Sequence, residues 1–146
     1  MHRDFAVAVK AVLMRDGKVL VLRRSKDEMA GSYLNKHQKW DFPGGGLHFY
    51  ERAEDGLRRE IREETALSVQ IGPPLSMFDI IRHQVHLCIF TYVCYWKQGE
   101  VCLSREHDGF VWMTEEETAC SELPHWMKRD ISRAFAEAKR REEHKA

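Results

Sequence analysis

The sequence predicts a single α/β domain, and three observations carry that prediction. Apolar, β-branched and aromatic runs recur between turn signals, at residues 5–13, 19–22, 76–82 and 85–96. Two other stretches, one following Gly44-Gly45-Gly46 and one near the end of the chain, carry the spacing of amphipathic helices. The 146 residues, 43% of them hydrophobic, suffice for one sizeable core. With no internal repeat and no low-complexity linker, residues 1–146 read as one domain.

Residues 5–13 are β-rich and residues 19–22 form a second apolar run. Between them, Arg15-Asp16-Gly17-Lys18 carries the Asp-Gly signal of a tight hairpin. Residues 25–39 leave regular pattern: a polar loop with Gly31, Asn35 and several lysines, open to a functional reading or to that of a plain surface excursion. Residues 40–42 make a short strand entering Pro43 and a turn of three glycines, whose backbone can bend and approach a ligand. The next helix runs to about Thr65 or Ala66, with Glu51, Glu54 and Asp55 at the end where the macrodipole favours acids. Residues 67–71 read as a strand stopped by Pro73-Pro74.

Two more strands follow at 76–82 and 85–96, then a turn at Lys97-Gln98-Gly99-Glu100 and a short strand at 101–103. A polar loop at 104–109 precedes a strand at 110–113, and Thr114 with Glu117 makes a capping box for a helix of one or two turns. The final helix covers about residues 124–143, with Trp126, Ile131, Ala134, Phe135 and Ala138 on its apolar side.

Lys plus Arg number 23 and Asp plus Glu number 23, so no overall field favours nucleic acid or an anionic membrane. No run approaches the roughly 20 apolar residues of a membrane span, and the N-terminus lacks a signal-peptide core. The expectation is a soluble, cytoplasmic protein. Cys88, Cys94, Cys102 and Cys120 form no CxxC pair and read as reduced thiols, not as a zinc site or a disulfide framework.

The densest chemistry lies in residues 44–67, where Glu60, Glu63 and Glu64 crowd one helical turn. Residues three and four apart share a helix face, and like charges there repel by roughly 0.2–0.5 kcal/mol per exposed pair. A bound divalent cation would reverse that sign, and an oxygen-seeking ion such as Mg²⁺ suits a few carboxylates plus substrate phosphates. Arg58, Arg59 and Arg62 are interleaved with the acids, so on the helix alone a solvated, salt-bridged surface explains the pattern equally well.

The segment Gly45-x5-Glu51-x7-Arg59-Glu60-Ile61-x-Glu63-Glu64-x-Ala66-Leu67 resembles the signature of the Nudix hydrolases, GX5EX7REUXEEXGU with U aliphatic. Every fixed position matches except Ala66, which replaces glycine. The resemblance implies an α/β/α sandwich around a mixed sheet, and metal-dependent hydrolysis of a phosphoanhydride in a nucleoside diphosphate linked to another group. It carries Glu60, Glu63, Glu64 and the carbonyl of Gly44 over as ligands of Mg²⁺ or Mn²⁺. Arg59 becomes the residue that orients a ligating glutamate, and Glu51 a brace between loop and helix. Family members differ over which acid takes the proton of the attacking water. Glu106, ahead of the Phe110–Trp112 strand, is the favoured base, with Asp108 and Glu100 also acids of that region and a box glutamate the other option.

Two departures from the family pattern matter. Alanine at position 66 costs about 1 kcal/mol if the left-handed helix end persists, so the turn is expected to adjust. His48-Phe49-Tyr50 stands where many relatives have Glu-x-Gly, which implies fewer or more loosely held ions. Phe49 and Tyr50 read either as stacking or covering residues or as packing. For the substrate, Tyr33, Trp40 and Phe78 are candidates to contact a base, and Arg23 and Arg24 to contact phosphates. The expected substrate is a nucleotide sugar such as ADP-ribose or a nucleoside triphosphate. The alternative is a Nudix-fold module that binds a nucleotide without turnover. Pairing into a homodimer is common among proteins of this appearance.

Overall fold

The structure, a computed structural model, describes residues 4–31 and 37–145. In chain order the elements are β1 (Asp4–Arg15), β2 (Lys18–Arg24), α1 (Lys26–Gly31), β3 (Trp40–Asp41), β4 (Gly44–Gly46) and α2 (Ala53–Thr65). They continue with β5 (Ser68–Arg82), β6 (Val85–Gln98), β7 (His107–Thr114), α3 (Glu115–Ala119) and α4 (His125–Lys145).

All seven strands join one mixed sheet, with β3-β2-β1-β6-β5 as its main path, β4 paired to β1 and β7 paired to β2. Strand β6 runs parallel to β1 along one whole edge, from Asp4 opposite Val85 to Met14 opposite Tyr95. The other edge of β1 is shared. It meets β2 at the hairpin end, where Met14 faces Val19, and β4 further along, where Lys10 faces Gly44. Strand β2 divides likewise, leaving β1 after the hairpin to meet β3 at Leu22 and Arg23 while β7 follows its opposite edge. Strands β1 and β2 therefore splay apart, and β3 and β4 fill the gap.

Alternation along β1 and β2 makes the sandwich. Val9, Ala11, Leu13, Leu20 and Leu22 bury one face against Leu57 and Ile61 of α2. Val12, Met14, Val19 and Val21 bury the other against Met127, Ile131 and Ala134 of α4. The expected α/β/α architecture is what the chain adopts, and no helix among the described residues is long and apolar enough to cross a membrane.

Local expectations fare differently. The Asp-Gly hairpin forms with positive φ at both Asp16 and Gly17, the requirement of a tight primed turn. The capping box on α3 closes as predicted, with Thr114 Oγ1 accepting from Glu117 N–H and Glu117 accepting from Thr114 N–H. The polar stretch 25–39 is not wholly irregular: Ser25 Oγ accepts the N–H of Glu28 and starts α1. The glycines are a strand rather than a turn, because β1 supplies a partner for each. Pro73 and Pro74 do not end β5, which sits at the sheet edge and passes them with register shifts between Ile71 and Ser76. Residues 101–103 form no strand; Cys102 N–H donates to Thr65 O, and Ser104 N–H to Glu64 O, tying this segment to the end of α2.

The end of α2 does not adjust around Ala66. That residue keeps φ 65° and ψ 13°, the left-handed cap, with its N–H donating to Arg62 O. A left-handed alanine costs about 1–2 kcal/mol, partly offset because glycine also gains freedom in the unfolded chain. Ala66→Gly is therefore expected to raise stability by about 0.5–1 kcal/mol, or roughly 2–3 °C in Tm, measurable by thermal unfolding.

Candidate active site

The splay between β1 and β2, covered by α2, holds a polar cavity of about 270 Å³. Its lining includes Lys10, Asp41, Glu60, Glu64, Glu106 and His107, with the three glycines of β4 forming one wall. Two of those glycines are required there. Gly44 has φ 140°, and a Cβ on it would overlap the backbone oxygen of Val9; a Cβ on Gly45 would sit 2.7 Å from the Glu60 carboxylate. The carboxylate thus reaches the cavity only because β4 is bare.

Helix geometry sorts the box acids. Glu64 is 3% exposed, and its Oε2 accepts the Gly44 N–H at 3.3 Å. Glu60 shares that inner face. Glu63 is displaced toward solvent, its side chain 57% exposed, and is held by Arg59 Nη1 at 3.3 Å. The structure therefore brings Glu60, Glu64 and Gly44 together and leaves Glu63 at the rim.

Arg59 ties the loop to the helix. It makes a two-pronged pair with Glu51, Nε to Oε2 at 2.7 Å and Nη2 to Oε1 at 2.9 Å, and also reaches Glu60 Oε1 at 3.0 Å and Gly46 O at 3.1 Å. Hydrogen bonds from Arg59, and then from His48 N–H, hold the Glu51 carboxyl down at about 2. The brace inferred for Glu51 has this geometry.

Among the acids of the later loop, only Glu106 lines the cavity. Glu100 pairs with Arg15 and Asp108 with Arg23 Nε at 2.7 Å. Burial, and then the charge of Glu28, raises the Glu106 carboxyl above its ordinary value.

Burial pushes Glu64 further, to about 9, against the lowering charge of Lys10 and with Asp41 and Glu106 adding to the rise. In the unfolded chain its ordinary value is 4.5, so at intermediate pH unfolding releases a proton that the folded protein keeps. Stability from this group is complete below about 4.5 and is lost as pH rises toward 9. In EDTA, the urea midpoint is expected to be lower near pH 8 than near pH 5, and Glu64→Gln to remove most of that difference. An unchanged pH dependence in the variant would refute the assignment.

Three cavity groups escaped the sequence reading. Lys10 Nζ donates to Asp41 Oδ1 at 3.1 Å and to Gly44 O at 3.3 Å. Burial alone would depress this amine, but the charges of Asp41 and Glu64 outweigh it and raise it. Asp41 is lowered by Lys10 despite its own burial. His107 Nε2 lies 3.3 Å from Asp41 Oδ2, while its buried Nδ1, without a hydrogen-bond partner, lies 3.9 Å from Glu64 Oε2. The available signals were a single charge inside the apolar run Val7-Ala8-Val9-Lys10-Ala11-Val12 and the adjacency of His107 to Glu106.

The proposed substrate contacts divide. Arg24 lines the cavity and donates to Gln38 O at 2.9 Å, whereas Arg23 is turned away to Asp108. Period-two alternation prevents neighbouring strand residues from serving one site. The same rule separates Asp41, inside the cavity, from Trp40, which packs with the core beneath α4. Phe78 packs on Trp126 of α4, ring centroids 6.1 Å apart, and does not reach the cavity. Tyr33 lies outside the described residues. Phe49 is 95% exposed and Tyr50 fully exposed, so neither is a packing residue.

The donor set fits an oxygen-seeking divalent cation: Glu60, Glu64 and Glu106 with the Gly44 carbonyl, in a cavity whose buried His107 Nδ1 lacks a partner. Glu64, Glu106 and His107 bring one donor atom each within 4.8 Å of one another.

Comparison with known proteins agrees with the fold and the box. A family model described as the NUDIX domain matches residues 4–135. The chain belongs to the Nudix family. Among curated Nudix relatives, the nucleoside triphosphatase NudI of Escherichia fergusonii is 27% identical over 123 residues, covering 77% of this chain and 84% of that protein. NudI of Salmonella paratyphi B is 28% identical over 96 residues, covering 58% of this chain and 68% of that one. Among solved structures, the MutT protein of Methanosarcina mazei is 25% identical with a TM-score of 0.74, covering 95% of this chain and 99% of the other. The MutT Nudix hydrolase of Burkholderia pseudomallei, 21% identical with a TM-score of 0.71, shares the fold over 90% of this chain and 98% of its own.

Proposed function

We propose that this Nudix pyrophosphohydrolase uses Mg²⁺ or Mn²⁺ to cleave nucleoside triphosphates to the monophosphate and pyrophosphate. The observation that carries the reading is the convergence of Glu60, Glu64 and Glu106 on one polar cavity walled by glycines. Glu60, Glu64 and the Gly44 carbonyl would hold the ion, with Glu63 at the rim. Such an ion, when bound, neutralises phosphate charge and acidifies a water. Arg59 keeps Glu60 in place through its hydrogen bond, and Arg24 lies where a phosphate oxygen could accept from it. Glu106 would accept the proton of the attacking water, whose oxygen joins one phosphorus of the α–β phosphoanhydride as that bridging P–O bond breaks, leaving the monophosphate and pyrophosphate. Its raised carboxyl suits that task, since a general base works best with a value near the operating pH.

The triphosphatase names of the NudI relatives favour a triphosphate over a nucleotide sugar. The cavity is consistent with this: its lining is polar and contains no Phe, Tyr or Trp among the described residues, which favours recognition through phosphates over stacking on a base.

The test is a panel of nucleoside triphosphates, ADP-ribose and dinucleoside polyphosphates with each metal, read by product identity. Monophosphate and pyrophosphate from triphosphates is the expected result. Faster cleavage of ADP-ribose would replace the substrate, and no turnover of any would favour a nucleotide-binding module.

A further inference from the structure

Away from the Nudix cavity, the hairpin of β5 and β6 gathers a second set of donors. We propose that Asp79, His86 and Cys88 bind a thiophilic divalent cation of the zinc type. His86 Nε2 lies 2.8 Å from Asp79 Oδ1, Cys88 Sγ lies 3.1 Å from the same oxygen, and the sulfur and nitrogen are 3.7 Å apart. All three donor atoms fall within 4.8 Å of one another. In a tetrahedral zinc site with ordinary bond lengths, ligand atoms stand about 3.3–3.6 Å apart. Shifts of a few tenths of an ångström would admit the ion.

The sheet sets this arrangement. His86 and Cys88 are two apart on β6 and so share a face, and Asp79 stands directly across from Cys88 on β5. On the far side of β6, parallel pairing places Phe5 of β1 beside His86. The Phe5 ring meets the imidazole edge-on at 5.1 Å, which steadies the ring whose Nε2 faces Asp79. His86 and Cys88 thus sit on β6, the strand that β1 holds, while Asp79 and His86 remain partly exposed, which gives an ion a path from solvent.

Donor chemistry separates this site from the Nudix cavity. Oxygen-rich sites suit Mg²⁺ and Mn²⁺, whereas thiolate with imidazole selects zinc and similar ions. The Cys88 thiol donates to Asp79, an interaction that keeps its proton on. Metal binding replaces that proton: Cys88 S–H becomes thiolate bonded to the ion, one proton passes to buffer, and neutral His86 and ionised Asp79 supply the other bonds. Three protein donors leave a fourth position for water or an external ligand. The absence of a CxxC pair, which argued against zinc in the sequence, does not bear on donors assembled by strand register.

Titration of the reduced full-length protein with Co²⁺, followed by absorption and competed with Zn²⁺, tests the assignment. The expected spectrum has tetrahedral intensity and a thiolate-to-cobalt charge-transfer band that Zn²⁺ removes. Cys88→Ser should abolish the band, and His86→Ala should weaken binding by more than about tenfold. A Glu60→Gln/Glu64→Gln variant should retain both features, separating this site from the Nudix cavity. A band surviving in Cys88→Ser, lost in Cys102→Ser or Cys120→Ser, or missing from the wild-type protein overturns the proposal. Circular dichroism of each variant verifies its fold, and if Cys88→Ser does not fold, His86→Ala decides the matter.

Discussion

Glu60→Gln and Glu64→Gln are each expected to lower Mg²⁺-dependent kcat/KM by about 10²–10³-fold, the scale on which loss of one preorganised charge-stabilising contact acts. Each change keeps the size of the side chain and removes the carboxylate that would ligate the ion. In the Glu64→Gln variant the amide oxygen could still accept the Gly44 N–H that Glu64 accepts at 3.3 Å, so the fold should survive and the loss should fall on the ion. Glu63→Gln should cost less, about tenfold, because its carboxylate is turned to solvent and engaged with Arg59. Steady-state rates across a Mg²⁺ titration, with circular dichroism as the check on folding, give the order directly. Unchanged rates in both Glu60 and Glu64 variants would remove the metal-dependent reading.

The second large effect belongs to Glu106→Gln. General-base help contributes about 10²–10⁴-fold, so a loss of that size, together with disappearance of the acid limb of the pH–rate profile, is the expected outcome. A variant slowed less than about tenfold would move the base to a box glutamate. Asp108→Asn makes the internal comparison: its carboxylate is committed to Arg23 and should leave the rate close to wild type.

Much of this was legible because it is local or periodic. Box spacing singled out Glu60 and Glu64, which line one cavity, and Arg59, which bonds to Glu60; the Asp-Gly dipeptide predicted the first hairpin; Thr114 and Glu117 announced α3. What escaped depends on partners distant in sequence. The three glycines look like a turn until β1 is known to pair with them, and Pro73-Pro74 looks like a stop until β5 is known to lie at an edge. Residues 101–103 resemble a strand, yet their hydrogen bonds go to the end of α2. Asp41 and His107 meet only because β3 and β7 flank the same strand, and Arg23 and Arg24 part because their neighbour relation in sequence becomes opposition across the sheet. Ala66 failed in the other direction: it keeps the left-handed cap that its own side chain disfavours, with its N–H bonded to Arg62 O.

Lys10 carries a consequence for how the cavity assembles. Its ammonium, fixed between Asp41 and the Gly44 carbonyl and facing Glu60 and Glu64, is a counter-charge encoded in the chain itself. Many metalloproteins cannot bring their acids together until the ion supplies the balancing charge, so folding and loading are one event. Here Lys10 supplies part of that charge, and the proton that buried Glu64 keeps supplies more. The cavity can therefore close without a metal, and an ion, were one bound, would enter a site already assembled.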